Sequence, residues 1–172
     1  MLTLALLAAL TQTPAPPPDD EPGLTGTISL IGGATLSSSG FIPGLGFAGE
    51  LGVRLIDGWA LTATAELFGI IILMNAQAGV HAMRMLSPRV GLGFGVRLSQ
   101  TVILASHIGG PNTAILVPLR LSYLLTEPVE QRRSGFVFTL DVAPGVQVGG
   151  TFYGAQAPLA LSATVGIGWT AW

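Results

Sequence analysis

The chain has no cysteine and no lysine, and only 9% of its 172 residues are charged. Each scarcity excludes something. Without cysteine there is no disulfide framework, no thiolate metal site and no lipid-bearing cysteine of a lipoprotein. Without lysine, and with seven arginines against nine acidic residues, the net charge of −2 leaves no basic face for nucleic acid. Soluble domains carry roughly 25% charged residues. A chain this poor in charge, with a mean hydropathy of +0.65, cannot cover itself with a water-solvated surface, and its natural solvent is lipid.

Long apolar helices are missing too. A membrane-spanning helix wants about 20 continuous apolar residues, and the charge-free stretches do not supply them. Val142–Trp172 is broken by Pro144, Pro158 and repeated glycines, and Leu98–Leu119 by Gly109-Gly110-Pro111-Asn112. Glycine costs about 1 kcal/mol and proline about 3 in a helix interior. The remaining run, Trp59 to Met74, is short and carries Glu66 near its centre.

What the chain does have is alternation. In 89–98, Arg89, Gly91, Gly93, Gly95 and Arg97 alternate with Val90, Leu92, Phe94, Val96 and Leu98, a period of two that a helix cannot produce. The same pattern recurs in 45–55, 115–123, 136–142 and 159–170. Apolar residues facing outward and small or polar ones facing inward are the signature of a transmembrane barrel. The expected fold class is therefore all-β, an eight-stranded antiparallel up-and-down transmembrane β-barrel. Its strands are expected at about 24–36, 43–56, 59–70, 77–86, 89–98, 113–124, 135–148 and 155–171. Residues 1–15 read as a signal peptide, 16–23 as a proline-rich linker and 24–172 as the barrel.

Hairpin parity tests this register, because directly opposed residues of antiparallel strands share a face. With Ile56-Asp57-Gly58 as a three-residue loop, Leu55 opposes Trp59 and Val53 opposes Leu61, all outward, and Gly58 takes a left-handed conformation. With Ser87-Pro88-Arg89 as the next loop, Met85, Met83 and His81 oppose Gly91, Gly93 and Gly95 on the inward face. Large side chains facing glycines are one way to fill a narrow lumen.

Parity also sends six charges inward: Glu50, Arg54, Glu66, Arg97, Arg120 and Asp141. Unpaired burial of an ion costs several kcal/mol, so these are expected to pair across the lumen, with Glu50 and Glu66 sharing an arginine. The favoured reading is a salt-bridged plug; the competing one is a narrow channel for small solutes. The turns at 56–58, 87–89 and 125–134 are expected on the periplasmic side, with loops 37–42, 71–76, 99–112 and 149–154 outside. Trp59, Tyr123, Phe136 and Trp169 then form an interfacial girdle near the periplasmic ends. Arg84 is placed to snorkel to lipid phosphates, and Phe41, Phe152 and Tyr153 lie near the outer rim. The most charged segment, Thr126–Ser134, is long for a periplasmic turn and offers a contact site, but the favoured reading is a solvated turn.

No catalytic, cofactor-binding or metal-binding residues are assigned. Ser106-His107 and His81 raise the possibility of a lipid acyl-hydrolase or acyltransferase, but no acid lies in 99–112 to orient a histidine base. A non-enzymatic protein is expected. The C-terminal segment LALSATVGIGWTAW, alternating and ending on an aromatic, resembles the last strand of the small eight-stranded outer-membrane barrels of the OmpA, OmpX and OmpW kind. The resemblance is one of architecture and extends over the chain after residue 23. It implies outer-membrane lipid as the surroundings, recognition by the barrel-assembly machinery during biogenesis, and residence in the outer membrane of a Gram-negative-type bacterium. Trp172 departs from it, since parity puts Trp169 outward and Trp172 inward.

Overall fold

The structure, a computed structural model, describes residues 22–37, 40–70, 73–103, 112–127, 134–149 and 159–171. Among the described residues every regular element is a strand except for one 3-10 turn. In chain order the strands are β1 (Gly23–Ser37), β2 (Gly40–Arg54), β3 (Trp59–Ile70), β4 (Leu73–Met85), β5 (Val90–Ile103), β6 (Asn112–Leu116), β7 (Leu119–Leu124), β8 (Gly135–Gly149) and β9 (Leu159–Ala171). All pairings are antiparallel, and β1 pairs with β9 from Gly26 opposite Ala171 to Leu36 opposite Leu161. That pairing and the one between β4 and β5 close the sheet on itself. Because β6 and β7 lie end to end between β5 and β8, the nine segments make eight staves of a closed barrel. Closure leaves no strand edge for water or another chain to satisfy.

Two prolines explain why the sixth stave is split. The amide of Val117 donates to the Pro144 carbonyl at 2.7 Å and that of Gly95 to the Pro118 carbonyl at 3.2 Å. Neither proline has an N–H to return the bond, so one ladder hydrogen bond is missing on each side of Val117-Pro118. The register resumes beyond them, and a bulge falls between Thr113 and Ala114 opposite β8.

The two short hairpins follow parity. Leu55 donates its amide to the Trp59 carbonyl at 2.7 Å, and Val53 opposes Leu61. Within the turn Gly58 has φ +72°, and Asp57 is also left-handed at φ 62°, a conformation that aspartate tolerates better than most residues. At the second turn the Ser87 hydroxyl accepts from the amides of Arg89 and Val90 at 3.3 and 3.1 Å. Met85, Met83 and His81 oppose Gly91, Gly93 and Gly95. A Cβ at Gly91 would come within 2.9 Å of the Met85 sulfur, and one at Gly93 would overlap that of Met83.

Several strand limits differ from expectation. β1 begins at Gly23, inside the expected linker, and β2 ends at Arg54 and β5 begins at Val90, both inside expected limits by one or two residues. At the other end the strands run further than the apolar alternation suggested: β2 begins at Gly40, β4 at Leu73, and β5 continues to Ile103. The expected loops 37–42 and 71–76 therefore shrink to the connectors 38–39 and 71–72. Asn75, Ser99 and Thr101, which fall in the expected loops 71–76 and 99–112, are buried inside the barrel. The proposed signal peptide, Ser106, His107, residues 128–133, Phe152, Tyr153, residues 155–158 and Trp172 lie outside the described residues.

Candidate functional site

The outer wall is apolar and open to its surroundings. Leu24, Ile28, Leu30, Leu45 and Leu51 are each more than 60% exposed, and comparable residues follow on every stave. The buried set is the reverse: Glu66, Asn75, Gln77, His81, Arg97, Arg120 and Asp141 are all at most 4% exposed. Ordinary globular proteins bury apolar side chains and almost never fully bury charged ones unless paired.

Those charges form one network across the waist of the lumen. Arg120 on β7 directly opposes Asp141 on β8, and its Nε donates to Asp141 Oδ2 at 3.0 Å. Its Nη2 reaches Glu66 Oε1 on β3 at 2.7 Å, and its Nη1 pairs with Glu50 on β2. Arg97 on β5 shares two of these acids, through Nη2 with Asp141 Oδ2 at 2.8 Å and Nη1 with Glu66 Oε2 at 3.0 Å. Glu50 and Glu66 thus share Arg120. Each guanidinium bridges carboxylates from different strands, which its planar fork of five donors allows and a single ammonium does not. The absence of lysine agrees with this use. Arg97 also donates to Gln77 Oε1 at 2.9 Å, and its Nη2 lies 3.1 Å from His81 Nε2. A guanidinium has only donors, so His81 Nε2 is the acceptor in that contact.

Above the waist, toward β4's start, the lumen is filled by neutral groups. Gln77 Nε2 donates to Asn75 Oδ1 at 2.8 Å and to Ser162 Oγ at 2.9 Å. Asn75 Nδ2 donates to Ser99 and Thr101 hydroxyls at 3.1 and 3.0 Å, and the Thr35 hydroxyl donates to Ser162 at 3.3 Å. Phe68 and Leu116, both with no exposed surface, fill what remains with Ile31, Ala48, Ala114, Ala143 and Ala160. Below the waist a small cavity of about 30 Å³ lies beneath Glu50 and Arg120, bordered by Thr27, Thr62, Met83 and Thr139. Its size admits a water or two.

Arg54 stands apart. It lies at the mouth of the barrel, where a side chain at Gly23 would meet its guanidinium, and among the described residues it makes no ion pair with the waist. Parity gave its face but not its depth. The neutral network was the larger omission, because Asn75 and Ser99 sat in expected loops; their inward parity with Gln77 and Arg97 was the available signal. Among the described residues no group of three or more His, Asp or Glu is arranged to hold a metal ion.

The residues expected at a membrane interface lie on the outward face of the barrel. Phe136 opposes Trp169 with their rings edge to face at 5.3 Å. Trp59 opposes Arg84, whose guanidinium lies over the indole at 5.5 Å, and the Trp59 and Phe94 rings meet edge to face at 6.4 Å. Tyr123 opposes Val90 and Phe138. In the charged turn, Glu127 makes an exposed ion pair with Arg89 at 3.4 Å.

No protein-family model matches the chain, and no curated protein sequence matches it. Among solved structures it is similar to the crystal structure of Neisserial surface protein A, with a TM-score of 0.57 over 88% of this chain and 98% of that one, at 14% identity. At this identity the likeness is one of fold, the closed eight-stranded antiparallel barrel.

Proposed function

We propose that this chain is an integral barrel of the outer membrane of a Gram-negative-type bacterium, with a structural or interaction role and a lumen held shut by its ion network. The observation that carries the reading is the inverted distribution of polarity: leucine, isoleucine and phenylalanine outside, five ions and an amide network inside. Monomeric soluble proteins rarely expose contiguous apolar patches beyond a few hundred Å², whereas a bilayer requires such a wall. The end bearing Gly23 of β1, Ala171 of β9 and the turns at Ile56–Gly58 and Ser87–Arg89 faces the periplasm in this reading. Outer-membrane lipid is its permanent partner, and the barrel-assembly machinery its transient one. No catalytic role is proposed, consistent with the engagement of His81 by Arg97.

Planar-bilayer recording of the purified, folded chain tests the closed lumen. A silent trace is expected, since Arg97 and Arg120 bridge carboxylates from β2, β3 and β8 across the lumen. Steady single-channel steps that grow in Glu66→Ala would establish the narrow channel instead.

A further inference from the structure

The outward face of the described strands carries a single charge, Arg84; the other strand charges point into the lumen or lie at its mouth. It does not stand on a flat wall. Beside it runs a groove of about 610 Å³ between Trp59 and Leu86 at one end and Leu119 and Val142 at the other, with Leu92, Phe94, Leu121 and Leu140 along it. That volume falls within the roughly 300–1,000 Å³ of small-molecule sites, and apart from Arg84 its outward side chains are apolar. The guanidinium is held against the Trp59 indole, and Trp59 is braced by Phe94. Stacking of this kind orients an arginine while leaving its edge donors open.

We propose that this groove is a selective site for one anionic phospholipid of the leaflet nearest the turns, with the acyl chain along Leu92, Phe94, Leu119 and Leu140 and the headgroup phosphate on Arg84. The inference rests on the membrane reading above. Charge complementarity commits it to this occupant: a neutral chain surface would fit any lipid tail or a second copy of the barrel, but a lone cation at the rim of an apolar groove matches an amphiphile with an anionic head. Arg84 lies three residues before the Ser87 turn, which places the phosphate in the phospholipid leaflet on the side proposed as periplasmic. One cation near a charged lipid surface contributes about 1 kcal/mol, which corresponds to a preference of about fivefold.

The test uses the native fluorescence of the full chain in vesicles. With Trp169→Phe and Trp172→Phe, Trp59 remains the reporter, and brominated acyl chains quench it when they occupy the groove. Brominated phosphatidylglycerol is expected to outcompete brominated phosphatidylcholine about fivefold at Trp59. The preference falls to unity in Arg84→Gln and persists in Arg84→Lys, with heat-modifiable gel mobility confirming that each variant is folded. Equal quenching by both lipids, or a preference unchanged in Arg84→Gln, overturns the proposal. A companion chain keeping only Trp169 separates the two layers of inference. If Trp169 is quenched while Trp59 is shielded and cross-linked dimers appear, a second copy covers the groove and the lipid site is wrong. If neither tryptophan is quenched, the membrane reading fails and the site with it.

Discussion

The waist and the upper lumen solve the same problem with different chemistry. Both fill a narrow tube with polar side chains shut away from water. The waist uses three carboxylates against two guanidinium groups, whereas the upper lumen uses Asn75, Gln77, Ser99, Thr101 and Ser162, each neutral. Removing one member of a buried ion network leaves the others charged and stranded, at a cost of about 3–5 kcal/mol. A lost neutral hydrogen bond costs nearer 1 kcal/mol. The tube is therefore brittle in the middle and forgiving above it.

The largest expected effect is at the hub. Arg120→Ala strands Glu50 and leaves Glu66 and Asp141 to share Arg97 alone, and urea unfolding of the barrel in lipid vesicles should show a loss of about 3–5 kcal/mol. A loss under about 1 kcal/mol would mean that the waist is no more brittle than the amides above it. Next comes Asn75→Ala, which removes two donors from the upper lumen and should cost about 1–2 kcal/mol in the same measurement. A cost equal to that of Arg120→Ala would erase the contrast between the two layers. Smallest of all is Glu127→Ala, which breaks the exposed pair with Arg89. Exposed ion pairs contribute little, so its unfolding midpoint should move by no more than about 0.5 kcal/mol equivalent and less still at high salt.

The difference between the layers also explains what was legible in the sequence. Alternation identifies a face, and it placed Glu66, Arg97, Arg120 and Asp141 inward because each sits between apolar neighbours in a strict period of two. It does not identify depth, which is set by strand tilt and the stagger between staves. Hence Arg54 and Glu50, four residues apart on one strand, share a face yet only Glu50 reaches the network. The upper lumen was harder still. Around Asn75 the outward neighbours are Met74 and Ala76, too weak a contrast to mark a strand, and Ser99-Gln100-Thr101 is polar on both faces. What makes these residues strand is a hydrogen-bonding partner across the tube, and partners distant in sequence leave no local pattern. The split at Val117-Pro118 was invisible for a related reason: proline is normally confined to edge strands or bulges, and here it is accommodated at the cost of the ladder bonds it cannot make.

The pairing of β1 with β9 has a consequence for how the protein comes into being. The first stave needs the last: Leu36 meets Leu161, and Gly26 meets Ala171. Gln77 likewise waits for Ser162, and both buried arginines wait for Asp141. During synthesis every earlier stave is made before its ring can shut, so a chain stopped short of β9 retains two raw borders and an incomplete interior. Such distant closures are entropically slow. For this molecule, being nearly finished is little better than being unfinished.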